Sequence, residues 1–178
     1  MRTSVDVIEK FIQKKRNWIL KQLSCDYGYS DLSSYKFILV KGEKLPLIIG
    51  NENRLGKDYV VVKKITDIKK LYIDSFGEEF LELFKQVSEH SGLKASKVSF
   101  KSYKSRWGCC DKNKQIIFNY KLLMLPIDLW QCVIVHELCH TVFMNHSKNF
   151  HALANTVLPN HSVLQKEIKM YNIITRLY

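Results

Sequence analysis

Two periods of apolar and polar residues run along this chain, and they divide it into helices and strands. Val5, Ile8, Phe11, Ile12, Ile19 and Leu23 recur at helical spacing behind Thr3 or Ser4, predicting an amphipathic helix over 4–23. After a polar turn at Tyr27–Ser34, two apolar runs, Phe37–Val40 and Leu45–Ile49, flank Lys41-Gly42-Glu43-Lys44 and predict a β-hairpin. Pro46 places the second strand at a sheet edge or a strand start. Asn51–Lys57 reads as a turn and Tyr59–Val62 as a third short strand. From Ile68 to His90 the period is helical, with Leu71, Ile73, Phe76, Phe80, Leu83, Phe84 and Val87 in one stripe and Ser91-Gly92 as the stop. Gly77 weakens that helix, and Ser75–Glu78 offers a capping box as an alternative start. Val98–Tyr103 alternates as a half-buried strand, and Gln115–Tyr120 returns as its hairpin partner after a turn at Asp111–Asn113. A helix then starts near Pro126 and ends near Asn145. Ser147 caps another through about Val157, and past Pro159 a last amphipathic helix uses Val163, Leu164, Ile168, Ile173 and Ile174.

The helix after Pro126 carries the chemistry. Within Val133–His140, positions 136 and 140 are both histidine, one turn apart on one face, with Glu137 beside the first. This is the H-E-x-x-H arrangement, in which two imidazoles hold one Zn2+ and the glutamate handles water. A chance pair of buried histidines, each satisfied by a carbonyl, is the plainer reading; the glutamate between them and a third histidine downstream weigh against it. A catalytic zinc takes three protein ligands and leaves a position for water. His146, His151 and His161 are available as the third. No glutamate occurs between Glu137 and Glu167, which removes a downstream glutamate ligand. The spacing from His140 to His146 equals that of H-E-x-x-H-x-x-G-x-x-H, although Phe143 stands where that pattern has glycine. Asn145 tolerates left-handed backbone and can end the helix instead, so the spacing favours His146. His161 follows the break at Pro159 and reads as a surface residue; His90 reads as a cation at a helix C-terminus. On this set Zn2+ activates water, and Glu137 takes the water proton and returns it to the leaving group.

Composition changes little of this. A chain of 178 residues suffices for one core, and 46% apolar with 25% charged residues is ordinary for a soluble protein. The pattern suggests a basic N-terminal part over 1–65, appended to a metal-binding domain over 66–178. The net charge is +11, concentrated toward the N-terminus in runs such as Lys14-Lys15-Arg16 and Lys63-Lys64. Such a surface can attract nucleotides or nucleic acid, or simply be solvated lysine; no aromatic residues interleave it as a stacking platform. Five cysteines without a C-x-x-C pair argue against a disulfide framework, and Cys132 and Cys139 fit as small apolar residues on the metal helix. With no signal-peptide pattern and no long apolar run, a cytoplasmic protein without a membrane span is expected.

Ser105-Arg106-Trp107-Gly108-Cys109-Cys110, Ile117-Phe118-Asn119, Val133–His140 and Asn145-His146-Ser147-Lys148-Asn149-Phe150 together resemble the YgjP-like metallopeptidase domain family, relatives of the SprT-like zincins. The resemblance covers residues 95–160 most closely. It implies an α+β, zincin-like core with a small antiparallel sheet on the active-site helix. It further implies His136, His140 and His146 as zinc ligands, Glu137 as the catalytic residue, and a peptide or protein substrate lying along an edge strand, with 98–103 available for it. Cys109 departs from the family's serine, and His151 stands where an aromatic is common. His151 is thereby available beside the site as a donor. Arg106 can grip an anionic substrate group in a bidentate contact, and Trp107 can wall the cleft or fill the core. Two other functions stay open. One is a metal-dependent nucleoside-phosphate hydrolase, which the charge and Arg106 favour and the lack of a Gly-rich phosphate loop disfavours. The other is a non-catalytic, zinc-stabilised nucleic-acid-binding module, which an intact Glu137 disfavours.

Overall fold

The computed structural model describes residues 37–172 and 174; the helix expected over 4–23 lies outside them. The chain first forms a four-stranded sheet from β1 (Phe37–Val40), β2 (Glu43–Ile49), β3 (Arg54–Leu55) and β4 (Val60–Val62), in the order β1-β2-β4-β3. The β1–β2 hairpin forms as expected, with Val40 opposite Glu43 and Phe37 opposite Pro46. Pro46 does not put β2 at an edge, however. Up to Pro46 the strand pairs antiparallel with β1, and from Leu47 to Ile49 it pairs in parallel with β4. The proline sits where β2 passes from one neighbour to the other, so its missing N–H costs little of either ladder.

Helix α1 (Ile68–Ser91) is one uninterrupted element that starts before Ser75. Gly92, at φ 71°, ends it in the left-handed conformation that favours glycine. Its buried stripe includes Tyr72, Phe76, Phe80, Phe84 and Val87. Gly77 is buried in the same helix and does not interrupt it; a Cβ there would meet Ile73 Cγ2 of the preceding turn at 3.4 Å, an ordinary contact.

A second sheet of β5 (Lys97–Lys101), β6 (Gly108–Cys110) and β7 (Gln115–Asn119) has the order β5-β7-β6. The expected hairpin between the first and last of these is corrected: β5 runs parallel to β7, and the antiparallel partner of β7 is β6. The turn at Asp111–Lys114 makes the β6–β7 hairpin. Asp111 Oδ1 accepts from the backbone N–H groups of Asn113 and Gln115, and Lys114 takes φ 58°. Because β6 occupies one side of β7, β5 has only the other side, which it reaches in parallel.

Helix α2 (Ile127–Cys139) follows a buried 3-10 turn at Tyr120–Met124. The hairpin turn of the first sheet docks at its start: Gly42 N–H donates to Met124 O at 2.8 Å, and a Cβ on Gly42 would lie 2.6 Å from Pro126 Cγ. Helices α3 (Lys148–Val157) and α4 (His161–Ile168) complete the site side of the molecule. The core is the aromatic contact between these layers. Phe80 of α1 meets Phe118 of β7 at 4.9 Å, Phe100 of β5 at 5.3 Å and Trp130 of α2 at 5.8 Å between ring centroids. The two phenylalanine pairs are edge-to-face, a geometry that contributes beyond buried area. The fold is α+β with small sheets packed against the H-E-x-x-H helix, as expected. No helix among the described residues is long and apolar enough to cross a membrane.

Candidate metal centre

Helix α2 ends at Cys139, six residues before the expected boundary at Asn145. No glycine or proline stops it; backbone bonds do. Thr141 N–H reaches Leu138 O at 3.0 Å and Val142 N–H reaches Cys139 O at 3.1 Å, a tightening that closes the last turn. His140 is the cap residue. Its Nδ1 lies 2.9 Å from Phe143 O, and because a carbonyl can only accept, Nδ1 carries the proton and Nε2 keeps its lone pair. The turn that ends the helix thereby orients its second histidine.

The chain then reverses and brings His146 back over His136. Their Nε2 atoms stand 3.0 Å apart, and the ligand atoms of His136, His140 and His146 all lie within 4.8 Å of one another. Ser147, directly after His146, caps α3 by accepting from Phe150 N–H at 3.4 Å. Phe150 is fully buried, and its ring meets all three imidazoles, with centroid distances of 5.0 Å to His136, 4.7 Å to His140 and 4.9 Å to His146. The segment from His146 to Phe150 thus brings a histidine, a helix cap and an apolar floor in one turn.

Glu137 is buried at 5% exposure, and its Oε2 has no hydrogen-bond partner. Burial pushes its carboxyl up to about 8, opposed by the nearby Arg106 guanidinium. The carboxyl fits because residue 108 is glycine: a Cβ there would stand 2.7 Å from Glu137 Oε1 and 2.8 Å from its Cγ. The strand beside Glu137 is therefore β6 and not β5, the one expected to flank the cleft. Asn119, fully buried, holds the approach to β6 by donating from Nδ2 to Tyr103 O and to Arg106 O, both at 2.9 Å.

The donor set suits a divalent cation of borderline softness. Three imidazoles converge, and burial together with the other histidines pushes His136 down to about 3, leaving it neutral and able to ligate near pH 7. A buried carboxyl without a partner beside them is the group such an ion would satisfy.

The other residues singled out in the sequence fall variously. Arg106 is exposed, with its guanidinium 5.6 Å from the Tyr103 ring centre, and acts on Glu137 by charge. Trp107 is buried and donates from Nε1 to Asn172 Oδ1 at 3.0 Å. His151 is exposed, 6.3 Å from His146 between ring centres. His161 is not a surface residue: it is 1% exposed, its ring lies 5.8 Å from that of His136, and burial pushes it down to about 4. Gly108, Asn119 and Phe150 all stood within the runs that carry the family resemblance. Their roles depend on which atoms the fold brings against them, and spacing alone does not show that.

The α+β core thus sets an H-E-x-x-H helix beside a short edge strand, with a third histidine returning from the following turn. The family model for the YgjP-like metallopeptidase domain matches residues 1–171, and the chain belongs to that family. Among solved structures the chain is similar to the metallopeptidase zymogen of Pyrococcus abyssi abylysin. Identity is 18% and the TM-score 0.48, over 52% of this chain and 93% of that one. No curated protein matches it.

Proposed function

We propose that this protein is a zinc-dependent peptidase in which His136, His140 and His146 hold Zn2+ and Glu137 is the general base. The observation that carries the reading is the buried, partnerless Glu137 carboxyl beside three convergent imidazoles, in a chain of a metallopeptidase family. When bound, the ion supplies Lewis-acid polarisation and lowers the pKa of nearby water.

The chain's own residues do the rest. Glu137, whose burial favours the protonated form, would be held as the carboxylate beside a bound cation and could then take a proton from the attacking water. It then returns that proton to the leaving amide nitrogen. Gly108 fixes where this carboxyl stands, and Asn119 fixes the Tyr103–Trp107 loop above it. Among the described residues β6 has a strand neighbour on one side only, so an extended peptide can add to its free edge next to Glu137. Arg106, exposed beside that edge, is placed for an acidic group on the peptide, and His151 for a donor role near His146. The described cysteines, Cys109, Cys110, Cys132 and Cys139, are free thiols, which suits a reducing cytoplasm.

The test is hydrolysis of an unstructured protein by the zinc-loaded chain. Chelation should abolish it and added Zn2+ restore it. Glu137→Gln should retain one zinc per chain while kcat falls on the order of 10²–10⁴-fold. Turnover at the wild-type rate in that variant would remove Glu137 as the base.

A further inference from the structure

His161 stands outside the three-histidine set, yet it is as deeply placed as any residue of the core. It opens α4 just after the break at Pro159, with its backbone N–H on Leu158 O at 2.8 Å. Its carbonyl lies 3.9 Å from Cys132 Sγ of α2. Cys132 and His136 are four residues apart, so one face of α2 meets the start of α4 through both. Leu164 and Ile168, buried on the same side of α4, hold the helix against that face.

The two imidazoles so brought together are nearly parallel, with an interplanar angle of 15° and ring centres 5.8 Å apart. Four buried side-chain polar atoms lack a partner among the described residues, and two of them are His136 Nδ1 and His161 Nε2. Buried ring nitrogens are normally paired, and a histidine that ligates through Nε2 ordinarily donates its Nδ1–H to an acceptor that sets its tautomer. His140 has such an acceptor in Phe143 O. His136 has none, and the neighbouring ring on α4 that also carries an unpartnered nitrogen, 5.8 Å away between centres, is His161.

We propose that His161 is a positioning residue for His136: its Nε2 takes up the His136 Nδ1–H through one buried water, which accepts from Nδ1 and donates to Nε2. This holds the His136 lone pair on Nε2, toward His146 and His140. The inference rests on the zinc reading above but assigns a residue outside the ligand set. His161 acts through His136 and touches neither ion nor substrate. It ties α4, a helix with no ligand of its own, to the affinity of the site.

Zinc affinity, measured by competition with a chromogenic chelator, tests this without any turnover. His161→Phe, which keeps the ring's volume and removes the acceptor, should weaken zinc binding by roughly 10- to 100-fold. His161→Gln, which restores an acceptor, should stay within about threefold of wild type, a rescue that pure packing would not give. Unfolding of the metal-free proteins should show the Phe variant at least as stable as wild type, because it no longer buries an unpartnered nitrogen. Should His161→Phe bind zinc as tightly as wild type, the proposal falls while the zinc reading stands. Should wild type itself bind no zinc, the zinc reading falls. If His161→Phe does not fold, imidazole 15N spectra of the zinc-loaded wild type decide instead. A proton on His136 Nδ1 with an unprotonated His161 Nε2 supports the assignment, and a proton on His161 Nε2 overturns it.

Discussion

Helices α1 and α2 pack on the same three-stranded sheet and differ in what they bury. α1 turns one aromatic stripe inward and keeps its polar residues in water or hydrogen-bonded, as Ser91 Oγ is to Val87 O at 2.7 Å. α2 is buried on nearly every side, yet it carries three of the partnerless polar atoms of the described residues, on Trp130, His136 and Glu137. An unsatisfied buried polar group costs about 1–3 kcal/mol. α1 supplies stability that α2 spends on chemistry, and stability and activity should therefore separate by helix.

The sharpest separation is Phe80→Ala on α1. It removes a ring packed against Phe118, Phe100 and Trp130 and should lower unfolding free energy by about 3–5 kcal/mol. Below the unfolding transition, kcat per folded molecule should match wild type. A denaturant titration beside an activity assay checks both, and a collapse of kcat in folded protein would break the division.

Gly108→Ala, on the strand that faces α2, should do the reverse. Its Cβ would intrude to 2.7 Å from Glu137 Oε1, so the carboxyl must move. A loss of roughly 10- to 100-fold in kcat is expected, with zinc affinity within about twofold. A wild-type kcat would mean that this glycine does not set the position of the base.

The smallest effect is alkaline. Burial pushes the Cys132 thiol on α2 up to about 11 from its ordinary 9. The folded state holds the proton longer than the unfolded one, so this stability is complete below pH 9 and is lost as pH rises toward 11. Cys132→Ala should remove that dependence, so wild type should lose about 1 kcal/mol more than the variant between pH 8 and pH 10. Equal losses would place the alkaline sensitivity elsewhere.

The division between the helices also marks how far the residues alone could be read. The stripe of α1 and its Gly92 stop, the β1–β2 hairpin and the Ser147 cap are local devices, and each is visible in a few neighbouring residues. β6 was not visible: three residues, Gly108-Cys109-Cys110, give too little alternation to mark a strand, and missing it turned a parallel β5–β7 pair into a supposed hairpin. The end of α2 was not visible either, because backbone bonds and the His140–Phe143 contact stop it with no glycine or proline to mark the place. His161 escapes a local reading for a related reason. Its position after the break at Pro159 looks like surface, and only the packing of α4 against Cys132 takes it inside. The convergence of His136, His140 and His146 was anticipated from spacing, because one helical turn and one chain reversal suffice to bring them together.

The run from His136 to Phe150 also has a consequence for transplantation. Two histidines, the turn that orients one of them, the third histidine, its cap and the ring beneath all three lie on a single short stretch. Such a stretch can be grafted as a cassette, replacing one helix end and its following turn in an unrelated scaffold. It would carry most of the site but leave Glu137 without room, since Gly108 comes from another strand. A working transplant therefore needs two pieces, the cassette and an edge strand that places a glycine against it.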